Sequence, residues 1–135
     1  MQTSKPYTLP AGIYFVGDPC YCFNDHDRWM YLLESTDYFE GKQVIKFEGH
    51  YVAAFGTMYG DGEYNGFPVD AGLFGCVHES LIDKEARDNI EGLGKIVTFE
   101  EDFVVQCFGD GTIKIGNIEV QTGDEPDWWD DEEGK

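Results

Sequence analysis

The chain has 135 residues, 41% hydrophobic and 16% aromatic, enough to bury one packed core and to set aside wholesale disorder. Nine Lys and Arg stand against 27 Asp and Glu, a formal net charge of −18 that opposes direct contact with nucleic acid or an anionic membrane and steers the protein toward basic surfaces. No apolar run approaches the roughly 20 residues of a membrane span, and the N-terminus lacks a signal-peptide pattern, so a soluble cytoplasmic protein is expected.

In chain order, residues 1–10 are polar and read as irregular. Residues 13–16, Ile-Tyr-Phe-Val, lie between Gly12 and Gly17-Asp18-Pro19 and read as a short buried strand. Pro19 ends its pairing, and residues 20–23 continue it after a kink. Asn24 or Asp25 then caps a helix in which Trp29, Leu32 and Leu33 share one face, leaving His26, Arg28 and Glu34 in water.

From Lys42 the period becomes two. Residues 44–48 and 51–55 form a hairpin, and residues 57–59 extend its second strand into a glycine-rich centre spanning 58–76. There Gly60-Asp61-Gly62 and Asn65-Gly66 signal turns, and Pro68 marks an edge, a bulge or a crossing. Ser80 or Asp83 caps a short helix over 84–90, stopped by Gly92 and Gly94. Residues 95–99, 102–108, 112–115 and 118–121 read as strands, with Gly109-Asp110-Gly111 and Gly116-Asn117 as turns.

The fold expected is α+β, mainly antiparallel sheet with two short helices, arranged as a sandwich or a partly closed barrel. One globular domain covers 1–122, and an acidic tail follows over 123–135. Without residues 124–135 the chain still has 20 acids against eight bases, so the domain is acidic in its own right.

The glycine-rich centre is either a structural crossing or a binding loop. Asp18, Cys20, Tyr59, Asp61, Glu63 and Asp70 are its candidate ligand-lining residues. Asp18, Asp61, Glu63 and Asp70 also offer neighbouring carboxylates for acid and base work, although acids are so frequent here that turns and the wet face explain them equally well. The loop lacks the alternating ligands and terminal Glu of a calcium loop, and the Lys and Ser/Thr of a phosphate-binding loop.

Cys20, Cys22 and Cys76 with His26 and His78 depart from zinc-site spacing, so neither metal nor cofactor is expected, and Cys107 joins them as a reduced thiol. Thiol catalysis by Cys20 or Cys76 needs His26, His50 or His78 to meet it in space. In the tail, Asp124, Glu125, Asp127, Asp130, Asp131, Glu132 and Glu133 surround Trp128 and Trp129. Those rings either fold back on the domain or anchor the tail in a basic partner.

Gly17-Asp18-Pro19-Cys20-Tyr21 followed by a tryptophan-bearing helix, and Tyr59-Gly60-Asp61-Gly62 followed by Val69-Asp70-Ala71-Gly72-Leu73, resemble a group of small uncharacterised proteins from bacteria and their phages. The likeness covers about half the chain in scattered pieces and leaves the tail aside. It implies a phage or mobile-element source and a role on host machinery, and it carries no activity with it.

The leading expectation is a non-enzymatic, phage-encoded acidic protein. It presents a nucleic-acid-like negative surface to a basic host protein, inhibiting or modulating a nucleic-acid-binding or defence protein. A small-ligand or enzymatic domain built on the loop 59–76 is the alternative, which a wide separation of Asp18 from Asp70, or no cavity beside the loop, would remove. A virion or assembly component is the third reading.

Overall fold

The computed structural model describes residues 3–123. In chain order its strands are β1 (Tyr7–Leu9), β2 (Gly12–Gly17), β3 (Val44–Phe47), β4 (His50–Gly56), β5 (Gly62–Tyr64), β6 (Phe67–Val69), β7 (Leu73–His78), β8 (Gly94–Phe99), β9 (Phe103–Cys107), β10 (Thr112–Ile115) and β11 (Ile118–Gln121). Helix α1 (His26–Thr36) follows β2, and a single-turn helix, α2 (Lys84–Arg87), precedes β8.

The strands make a four-stranded sheet in the order β1-β9-β10-β11, a five-stranded sheet in the order β3-β4-β7-β2-β8, and the separate hairpin β5-β6. Every named strand pair is antiparallel. The class is the α+β expected, and the two sheets pack as a sandwich without closing into a barrel.

The five-stranded sheet is buried on both faces. Tyr14, Val16, Ala53, Phe55, Phe74 and Cys76 face the four-stranded sheet and meet Leu9, Phe103, Val105, Ile113 and Ile115. The alternate residues Phe15, Val52, Ala54 and Val77 face away, against Leu32, Leu33, Phe39 and Leu81 of the helical layer. Burial on both faces explains why β2, β4 and β7 read as continuous apolar runs rather than alternating ones.

Helix α1 starts where its cap demands. The Asp25 carboxylate accepts from the Asp27 and Arg28 amides, 2.9 and 3.3 Å away, and Asp37 closes the helix in the left-handed conformation, φ 53°. The hairpin turns are equally local: Glu48-Gly49 and Asn65-Gly66 hold positive φ at both central residues, the twist that a tight hairpin requires.

Several expectations need correction. Residues 7–9 form β1, whose support is the pairing of Tyr7 with Val105 across the fold rather than any local pattern. Residues 19–22 form a 3-10 turn, with Pro19 in its first position and Asp18 as its cap, not a kinked strand. β4 stops at Gly56, and Thr57 to Gly60 turn back, closed by a Gly60 amide to Thr57 carbonyl bond. The second helix covers only Lys84–Arg87. Arg28 is not a wet helix residue: it pairs with Asp83 and Glu48, donates to the Leu81 carbonyl, and lies over the rings of Phe23 and Phe47.

A row of small residues crosses the central sheet through paired positions, Gly94–Gly17–Gly75–Ala54. A Cβ on Gly75 would strike the Ala53 carbonyl of the next strand, and one on Gly94 would strike the Phe15 ring. The row leaves the helix-side face low, and the 19–22 turn packs there on β7 and β2. Gly75→Ala is therefore expected to lower stability by about 3 kcal/mol in urea unfolding, through overpacking against backbone that cannot yield. Gly56→Ala, where the added atom meets open space, should change it by less than about 0.5 kcal/mol.

Candidate functional site

Asp18 is the structural centre of the glycine-rich region. Its side chain is fully buried. Oδ1 accepts the Cys20 amide at 2.9 Å, and Oδ2 accepts the amides of Asp70 and Ala71 at 2.9 and 2.7 Å. Among the described residues it forms no ion pair. Burial raises its proton affinity, and the three amide donors act in the opposite direction, with burial the larger effect. Tyr21 closes the arrangement by donating its hydroxyl to Asp70 Oδ2 at 2.8 Å, and burial together with that bond pushes the Tyr21 hydroxyl up. The segments 17–21 and 69–73 thus meet in space, one clamping the backbone of the other.

The six loop candidates divide. Asp61, Glu63 and Asp70 are exposed and line one side of an open cavity of about 620 Å³ that also includes Pro68, Val69 and Gly92. Asp18 lies beneath them with its acceptor sites already filled by amides. Tyr59 packs against the inter-sheet core instead of lining that cavity. Cys20 is half-buried beside Asp18; burial, followed by the adjacent carboxylate, pushes its thiol up and holds it protonated at neutral pH, the reverse of an activated nucleophile. None of the four cysteines is in a disulfide. Among the described residues no group of three or more His, Cys, Asp or Glu side chains is placed to hold a metal ion.

A second, smaller cavity of about 360 Å³ went unrecognised in the sequence. Phe15, Ile82, Ile90 and Ile96 give it an apolar floor, with Glu79, Glu91 and Arg87 around it. Its residues come from β2, the 79–92 segment and β8, elements that no local pattern links. Gly92 lines both cavities, so the carboxylates of the loop and those of the α2 corner border neighbouring hollows.

At the other end of the central sheet, the rings of His50 and His78 stack with centroids 4.3 Å apart, and the Tyr14 ring meets His78 edge-on. His78 Nδ1 accepts the Ser80 amide at 3.1 Å. Burial, then the neighbouring His50, lowers the proton affinity of His78, while Glu79 acts weakly the other way. Among the described residues neither imidazole is hydrogen-bonded to Cys20 or Cys76.

The tail candidates Asp124, Glu125, Asp127, Trp128, Trp129, Asp130, Asp131, Glu132 and Glu133 lie outside the described residues. No helix among the described residues is long and apolar enough to cross a membrane. No protein-family model, curated protein or solved structure matches the chain.

Two outcomes are expected from this geometry. Both Asp18 oxygens act as acceptors, so the isosteric Asp18→Asn turns an NH2 group toward an amide donor and should lower stability by about 2 kcal/mol, with Asp18→Ala losing about 3. Chemical unfolding decides it: an Asn variant as stable as the parent would mean that a protonated oxygen is accommodated at this position. For His78, the unfolded chain takes up a proton near the ordinary value of 6.5 before the native protein does. Native stability is therefore intact above that pH and falls as pH drops through it. The urea midpoint of His78→Asn, which keeps an acceptor for Ser80, should decline less between neutral and mildly acid pH than that of the parent.

Proposed function

We propose that this protein is a non-enzymatic acidic binding protein that occupies a basic, nucleic-acid-facing surface of a partner and so inhibits or modulates it. The observation that carries this reading is how little of the negative charge is neutralised. Of the 20 acids in residues 3–123, 17 are exposed. Salt bridges among the described residues engage only Glu48, Asp83 and Glu119. Carboxylates held on a framework of packed sheets approximate the closely spaced charges of a phosphate backbone and steer encounter with a basic groove.

The loop acids support the same reading. Asp61, Glu63 and Asp70 rim an open hollow with no cation on its lining, so they add to the anionic surface. The run from Asp124 to Glu133 adds seven acids to the chain, and Trp128 with Trp129 is the kind of aromatic pair that dominates interface energetics. The resemblance to small bacterial and phage proteins favours a host nucleic-acid-binding or defence protein as the partner, met in the host cytoplasm.

The test is capture from bacterial lysate by the immobilised full chain, with duplex DNA as competitor. Nucleic-acid-binding proteins should be retained, released by DNA, and lost by at least about tenfold between 50 and 200 mM salt. A chain truncated before residue 124 should retain them more weakly. Capture indifferent to both salt and DNA would contradict the proposal.

A further inference from the structure

The free edge of the central sheet is its most peptide-ready feature. β8 is the outermost strand beyond β2, six residues long and without proline, and among the described residues the only pairing beyond β2 is a single bridge from Glu91 to Gly94 at its start, which leaves residues 95–99 uncovered on the outer side. The other edges are less available. β1 has three residues and β3 four, and at β11 the Gln121 amide is already taken by Asn65 Oδ1 at 2.8 Å. An uncovered edge of this kind offers unpaired amides and carbonyls to an incoming strand.

Beside that edge, on the helical face of the sheet, lies the 360 Å³ cavity. Ile96 of β8 lines it and is 54% exposed, among the most exposed large apolar side chains described. Its remaining floor is Phe15, Ile82 and Ile90, with the Phe15 ring packed against Gly94 where a Cβ would strike it. Strand addition uses this combination: main-chain bonds along an edge, and a pocket that receives alternate side chains of the guest.

Charge selects the guest. Glu79 and Glu91 flank the cavity and form no salt bridge among the described residues, and Asp88 is exposed on the segment between them. The neighbouring cations are engaged elsewhere: the exposed Arg87 donates from Nη2 to the Glu79 carbonyl at 2.6 Å, and Lys95 of β8 lies over the Phe67 ring on the other face of the strand. A second copy of this chain would bring its own −18 to the same edge, which opposes self-pairing.

We infer that β8 accepts an extended basic segment of a partner protein as an added strand, with alternate apolar side chains of that segment entering the cavity lined by Phe15, Ile82, Ile90 and Ile96. This deepens the acidic-binder reading and rests on it for the sign of the partner's charge; the strand-pairing geometry stands apart from it.

The test uses the isotope-labelled full chain and three blocked peptides, alternating lysine–valine, glutamate–valine and serine–valine, followed by amide chemical shifts and hydrogen exchange. The lysine–valine peptide should shift and protect amides of Gly94–Phe99. Ile96→Lys, at an exposed position, should weaken it by about tenfold while the amides remote from β8 keep their parent shifts, and the glutamate–valine peptide should not bind. Absence of binding by the lysine peptide, perturbations confined to other elements, or indifference to Ile96→Lys would overturn strand addition at β8. Salt-sensitive binding of the lysine peptide elsewhere would do so while leaving the acidic-binder reading intact. Equal binding of the serine peptide at β8 would overturn the choice of a basic guest, and the acidic-binder reading with it.

Discussion

The Asp18 carboxylate and the three amides that solvate it are the constraint on which the rest of the molecule depends. A buried anion must be compensated, and a chain with eight cations in its domain has few to lend. Here the compensation is backbone: Cys20, Asp70 and Ala71 each direct an N–H at it. The bonds cross from residue 18 to residues 70 and 71, so they fix the entrance to β7, the central strand, against the turn that leads to α1. Once that register is set, Asp61, Glu63 and Asp70 are displayed on backbone that is held in place rather than on a loose loop.

The cations follow a related logic. Arg28 ties the helix to the β3-β4 turn through Glu48 and to the segment before α2 through Asp83, over the rings of Phe23 and Phe47. Lys5, Lys46 and Lys95 lie over Tyr7, Tyr51 and Phe67, with 5.3, 5.8 and 5.7 Å from ammonium to ring centroid. Arg87 donates to a backbone carbonyl. Lys5, Lys46, Lys95 and Arg87 therefore engage aromatic rings and main chain rather than surface carboxylates, and only Arg28 and Lys114 form salt bridges among the described residues, so little of the negative surface is cancelled from within.

What could be read from residues alone was whatever is decided within a few positions. Asp25 as a helix cap, Asn65-Gly66 as a hairpin turn, and the apolar runs of β2, β4 and β7 all have local causes, and the class followed from them. What depended on distant partners was not legible. β1 exists because Tyr7 pairs with Val105, and residues 20–23 carry the composition of a strand but the chain forms a 3-10 turn over 19–22, capped by Asp18. The site divides in the same way. Asp61, Glu63 and Asp70 were visible as a group beside turn glycines, and Asp18 as their companion, but its place beneath them was not. The β8 cavity was invisible because Ile82, Ile90 and Ile96 belong to separate segments with no shared period.

Where the acids lie explains how so charged a chain folds at all. The five-stranded sheet contains no Asp or Glu, and the four-stranded sheet contains only Glu119. The hairpin strand β5 adds Glu63, and the other acids occupy loops and helical segments. Repulsion is thereby kept away from the pairing surfaces and placed where water and salt screen it over about 8–10 Å. The same arrangement gives salt two opposed effects. Screening relieves the self-repulsion of the folded domain, yet it also weakens the field that, in the function proposed above, draws a basic partner. On that proposal binding is strongest in the ionic conditions where the fold is under the greatest electrostatic load, a load tolerated because the neutral sheets beneath the acids carry the packing.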